Sequence, residues 1–122
     1  MAASFSSSQS TTDNLLAGNA HLLVSRAITL VSGQNLKRGA VLGKITASGK
    51  YNLSASAAGD GSQTPDLILA EDCDASAGDK GALAYSRGDF SSAGLTLGAG
   101  HTVASILEGL RAKGITIINA IA

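Results

Sequence analysis

Apolar and polar positions across residues 26–46 fall into two runs separated by a turn. Ile28 and Leu30 alternate with Thr29 and Val31, which predicts a half-buried strand rich in β-branched residues. Ser32-Gly33-Gln34-Asn35 interrupts the run with turn formers. A second run starts at Gly39 and carries Val41, Leu42 and Ile45 as its apolar positions. Glycine weakens a strand interior, so Gly39 and Gly43 predict a bulge or the close approach of another backbone. That pattern describes a small, bent β-domain, and nothing in it is catalytic.

Short elements continue downstream. Ser48-Gly49-Lys50 reads as a turn, Tyr51-Asn52-Leu53 as a short extended piece, and residues 54–64 as a loop by composition. Pro65 opens a core-strand candidate over residues 66–70. Glu71-Asp72-Cys73-Asp74 forms an acidic loop that closes at Gly78-Asp79. Ala82-Leu83-Ala84-Tyr85 is another strand candidate, Gly88 turns the chain toward Phe90, and Leu95-Thr96-Leu97 is a further short strand. Val103, Ile106, Leu107 and Leu110 recur at i, i+3, i+4 and i+7, the spacing of one buried helical stripe. Thr102 suits its N-cap, Arg111 and Lys113 suit its C-terminal end, and Gly114 suits a left-handed stop. Ile115-Thr116-Ile117-Ile118 then reads as a closing strand. The fold class expected is mainly β with one C-terminal helix, without internal repeats.

Residues 1–20 have a different character. Ser and Thr dominate, Asp13 is the only charged side chain before Arg26, and Phe5 is the only large apolar group before Leu15. Such a segment buries too little apolar area to offset its ordering entropy, so a mobile arm is expected. Two readings stand: an ordinary frayed terminus, or an arm that orders on a partner. Ser and Thr tolerate extended backbone, no proline removes a donor, and Phe5 can anchor, which suits addition of a strand to another protein's sheet edge. Leu15, Leu16, Leu22, Leu23 and Val24 hand the arm over to a single β-rich domain spanning residues 21–122.

Composition narrows the field. With no Trp, two Phe and two Tyr in 122 residues, the core must be aliphatic, and 15 glycines against one proline favour tight turns over long helices. Nine basic and nine acidic side chains cancel, with no basic run, so no direct nucleic-acid contact is expected. One cysteine excludes an intrachain disulfide and suits a reducing compartment. No apolar stretch approaches the ~20 residues of a membrane span. The N-terminus lacks the basic start and apolar stretch of a signal peptide, so assembly in a cytoplasm is expected.

Candidate chemistry dissolves on inspection. Gly98-Ala99-Gly100 imitates the opening of a dinucleotide fingerprint, but Val103 occupies the position that needs a third glycine. Asp72, Asp74 and Asp79 imitate a calcium loop, yet Ala77 and Leu83 stand where glycine and a bidentate Glu are required. Acidic neighbours disfavour a Cys73 thiolate. His21 and His101 are isolated in sequence and make neither a zinc site nor a triad. Asn52-Leu53-Ser54 is a glycosylation sequon, void without a secretory route, and Lys50 lacks the flanks of a biotinyl or lipoyl hairpin. No enzyme, cofactor or metal is expected.

The segments RGAVLGKIT (residues 38–46) and GDGSQT with ILAED (residues 59–72), followed by a helix and GITII, resemble the head decoration proteins of tailed phages, the phage lambda protein D type. The likeness spans residues 26–118. It implies a small, mainly β protein of the β-clip type that forms homotrimers on the outer capsid surface, at threefold and quasi-threefold positions. It further implies that the N-terminal arm reaches onto a major capsid protein with the HK97-type fold. By that resemblance Ala3, Ser4, Phe5, Ser6, Ser7, Ser8, Gln9, Ser10, Thr11 and Thr12 are the capsid-binding residues, with Phe5 the anchor. Each arm binds weakly, three act together, and the expanded shell is stabilised. The alternatives are a β-clip adaptor or carbohydrate-binding module, which calls for a pocket of clustered aromatics, and a small nucleotide hydrolase, which calls for charged residues converging on a phosphate.

Overall fold

The computed structural model describes residues 15, 16 and 23–118. In chain order it contains β1 (Val24–Leu30), β2 (Asn35–Leu36), β3 (Val41–Lys44), β4 (Tyr51–Leu53), β5 (Pro65–Leu69), β6 (Cys73–Asp74), β7 (Lys80–Ser91), α1 (Val103–Arg111) and β8 (Ile115–Ile118). Residues 1–14, which include the whole capsid-binding segment expected from the sequence, lie outside the described residues.

The strands β1-β4-β3-β5-β7 follow one another in a sheet, and β7 pairs back onto β1, so the sheet closes into a small barrel. Most of the seams are antiparallel. The β1–β4 seam is parallel and consists of the single pair Leu30↔Tyr51, whereas β1 and β7 pair along the full length of β1. Strand β8 attaches in parallel to the far half of β7, from Gly88↔Ile115 to Ser91↔Ile118.

Strands β3 and β5 explain the layering. Alternation in a strand sends neighbours to opposite faces, yet Val41 and Leu42 are both buried, as are Leu67, Ile68 and Leu69. Both faces must therefore be covered. Leu42, Leu67 and Leu69 point into the barrel with Ile28, Leu30, Tyr51, Ala82 and Ala84. Val41 and Ile68 point outward into a second core with Leu15, Phe90, Ile106, Leu110, Ile115 and Ile117. The helix is the lid of that second core. It buries Ile106 and Leu110, with Val103 and Leu107 half-buried on the same stripe. Thr102 caps it in a reciprocal box with Ser105, and Gly114 follows with a φ of 97°.

Gly39 and Gly43 carry the close approaches that the sequence predicts. A Cβ on Gly43 would collide with the Ser62 carbonyl, and one on Gly39 with the Gly94 carbonyl. The ladder between β3 and β5 also shifts register between Leu42 and Gly43. These two glycines let the 54–64 loop and the Ser92–Gly94 turn lie directly on the barrel wall.

Three expectations are corrected. Gly88 does not turn the chain; it lies inside the continuous β7, where its φ of 148° and bare backbone let the strand leave β1 and take up β8. Residues 95–97 form no strand beyond one isolated bridge, Ala40↔Thr96: Thr96 bonds to Gly39 and Val41, and by Gly98 the backbone already packs on the Ser54 carbonyl. Asn35 and the acidic Cys73-Asp74 pair are not wholly loop: they form the two-residue β2–β6 ladder, and Cys73 is buried in the barrel.

Candidate functional site

Leu15 and Leu16 are fixed by packing. Leu15 is 1% exposed in the second core, and its carbonyl accepts the Ser91 N–H at 2.6 Å. Leu16 forms an antiparallel bridge with Phe90. Leu15 and Leu16 therefore lie beside the far half of β7, with Leu15 itself part of the second core. Of the residues expected to hand an arm over to the body, Leu16 is bridged to Phe90.

The described residues singled out for chemistry make structural contacts; His21 lies outside the described residues. Asp72, Asp74 and Asp79 serve three different loops. Asp72 accepts the Arg38 N–H. Asp74 accepts both the N–H and hydroxyl of Ser76. Asp79 accepts the Ser32 N–H at 2.8 Å and the Lys50 ammonium at 2.5 Å. Lys50 is thus held by Asp79 in an ion pair. No group of three metal-ligating side chains occurs among the described residues. The Gly98–Gly100 turn packs on the 54–56 loop, where a Cβ on Gly98 would meet the Ser54 carbonyl, so that backbone is already occupied by protein.

His101 is the residue whose role sequence reasoning missed. Its Nε2 lies 3.0 Å from the Gln63 carbonyl and 3.2 Å from the Ser54 hydroxyl, while Nδ1 lies 3.0 Å from the Ser105 hydroxyl. A carbonyl can only accept, so Nε2 carries a proton. The two ends of the 54–64 loop and the start of α1 meet on this ring. Nothing in the local sequence signals its loop partners, since Gln63 and Ser54 are 38 and 47 residues away.

Two further polar clusters brace the wall. The Arg38 guanidinium donates to the Ala70 carbonyl at 2.8 Å and the Tyr85 hydroxyl at 2.7 Å, with its carbon 5.4 Å from the Tyr85 ring centroid. Asp66 takes the Lys113 ammonium at 2.8 Å and the Tyr51 hydroxyl at 3.1 Å. Burial, reinforced by the Asp66 carboxylate, pushes the Tyr51 phenol above its ordinary range. Lys44 stands between two open clefts: one lined by Thr46, Gly61, Thr64, Asp66 and Lys113, the other by Arg26, Ala27, Ile28, Thr29, Gly49 and Tyr51.

Three carboxyls titrate below the usual carboxylate range: Asp60 through the Ser62 hydroxyl, Asp74 through the Ser76 hydroxyl, and Asp79 through its bond from Lys50. A folded-state pKa depressed below the unfolded value of about 3.9 contributes stability above that pH, and the contribution vanishes as pH falls through the folded value. The difference in thermal midpoint between the wild type and Asp79→Asn is therefore expected to be widest near neutrality. It should close below about pH 4, as followed by circular dichroism across a pH series.

No helix among the described residues is long and apolar enough to cross a membrane. A family model described as Bacteriophage lambda head decoration protein D matches residues 5–115. No curated protein matches the chain.

Proposed function

The chain belongs to the bacteriophage lambda head decoration protein D family, and from that premise we propose that it cements the expanded phage head as a homotrimer. It is a phage head decoration protein, a component of the virion capsid, from a structural family and not a known enzyme family. On this reading it is made and assembled in the host cytoplasm and sits on the outer capsid surface. Its partner there is a major capsid protein of the HK97-type fold. The body spanning residues 21–122 positions the trimer. The segment within residues 1–20 that contains Ala3 to Thr12 becomes ordered as a strand on the shell, anchored by Phe5.

The observation that carries this reading is the family match itself, which takes in both the arm from Phe5 onward and the barrel. Energetics make it workable. Ordering about a dozen residues opposes the contacts each arm makes, so a single arm binds weakly. Three arms on one trimer gain ~10²–10⁴ in avidity. If the sites exist only on the expanded shell, occupancy stabilises that shell by mass action. The neutral net charge fits a protein that meets the shell and not the packaged DNA.

Sedimentation of the purified protein with and without empty expanded heads tests the reading. The expected result is a trimer in solution that pellets with the heads to saturation. A monomer that stays in the supernatant would overturn it.

A further inference from the structure

Among the described residues, strand β1 is completed on one side only. Toward β7 it pairs from Val24 to Leu30. Toward β4 it has the single pair Leu30↔Tyr51, and Val31 donates to the Tyr51 carbonyl at 2.9 Å. Residues that face the same way as Val31 are Ala27 and Thr29. The β7 side confirms this orientation independently. Leu83, directly opposite Ala27, turns away from β1: its carbonyl accepts Ala70 N–H and its N–H goes to the Glu71 carboxylate, both on the β5 side. In an antiparallel ladder the opposed pair shares that orientation, so Ala27 also points away from β7. The Ala27 N–H and carbonyl and the Thr29 N–H therefore face the cleft beside Tyr51, with no partner among the described residues. Ala27 is exposed and Thr29 half-buried.

The flanks of the same cleft are cationic. Arg26 and Lys44 line it, and neither has an ion-pair partner among the described residues. No acidic side chain lines it. Asp66, in the neighbouring cleft, is already engaged by Lys113 and Tyr51.

We propose that the open edge of β1 takes up an extended, carboxylate-bearing segment of the capsid shell protein as an added strand, paired to Ala27 and Thr29 and held at its flanks by Arg26 and Lys44. Unpaired backbone groups supply the affinity of strand addition, and the two cations select an acidic segment over a neutral one. This contact is separate from the N-terminal arm, and it rests on the capsid-binding reading above. The arm carries strand from the decoration protein to the shell; the β1 edge receives strand from the shell. Exposed strand edges also carry charge simply to repel unwanted pairing, and that bland role for Arg26 and Lys44 is the competing outcome.

The test uses the full-length protein with its arm intact and empty expanded heads as the probe. The double variant Arg26→Glu/Lys44→Glu reverses the flanks. Ala27→Pro removes one cleft-facing N–H that the β7 ladder does not use, a substitution edge strands accept. Each is expected to weaken head binding by about tenfold or more while the thermal midpoint stays within a few degrees of wild type. Hydrogen exchange of the wild-type peptide covering residues 24–30 supplies a readout that needs no variant: it should slow when heads are added. Wild-type affinity in the charge-reversed protein, or exchange unchanged by heads, would overturn the proposal and leave Arg26 and Lys44 as edge guards. Weakened binding by the charge reversal with full binding by a folded Ala27→Pro would overturn the strand pairing. Wild-type protein that ignores heads would bring down the capsid-binding reading as well, which separates the two failures.

Discussion

A protein lacking residues 2–14 should fold as the wild type does and lose ~10²–10⁴-fold in apparent affinity for expanded heads. The cut has to end at Asn14. Leu15 is 1% exposed and its carbonyl holds the Ser91 N–H, so removing it would damage the second core and confuse binding with folding. Ordering costs about 1–2 kcal/mol per residue of backbone, so a dozen arm residues must gain contacts of comparable size before any net binding appears. On the proposed trimer each arm contributes modestly, and the large loss is expected because all three disappear together. Co-sedimentation over a concentration series, beside a thermal melt of the free truncated protein, separates the two effects. Saturation of heads by the truncated protein at wild-type concentrations would remove the arm from the mechanism.

Local grammar was legible where the physics is local. The helix follows from Val103, Ile106, Leu107 and Leu110 on one stripe and from Thr102 as cap, and all of it is realised at Val103–Arg111. The closing strand, the Tyr51–Leu53 piece and the close approaches at Gly39 and Gly43 are realised as well. What escaped depends on partners remote in sequence. Gly88 looks like a turn because a glycine between polar residues usually is one. Inside β7 it marks the place where one strand exchanges β1 for β8, and neither neighbour can be inferred from residues 86–90. Cys73 looks like part of an acidic loop until Leu36 is placed opposite it. His101 looks isolated because Gln63 and Ser54 approach only when the 54–64 loop lies on the barrel.

The same distinction applies to function. The arm rests on a compositional break before Leu15 and on the resemblance, and its residues lie outside the described ones. The open edge of β1 was not legible at all. Ile28, Thr29 and Leu30 read as an ordinary half-buried strand, and only the ring of pairings shows that one side of it meets a single residue of β4. A missing neighbour is a property of the whole sheet, and no periodicity in the strand itself reports it.

Phe90→Ala is expected to destabilise the body by about 4 kcal/mol, the largest effect of any single core truncation in a chain this poor in aromatics. Phe90 is fully buried, and its ring lies 5.3 Å from that of Tyr85. Around it converge Leu16 through its bridge, strand β8 through Ile117, and the helix through the shared core with Ile106 and Leu110. Aliphatic neighbours cannot close over the lost ring without moving β7, whose backbone is tied on both sides at this point. At roughly 4 °C per kcal/mol for a domain of this size, the thermal midpoint should fall by about 15 °C. Leu83→Ala is the matched control: Leu83 is 45% exposed on the outer barrel wall and its truncation should stay within about 0.5 kcal/mol. Because an oligomer's stability depends on protomer concentration, all three proteins must be melted at one concentration. A Phe90→Ala midpoint within a few degrees of wild type would mean that Leu16, β8 and the helix do not share one core.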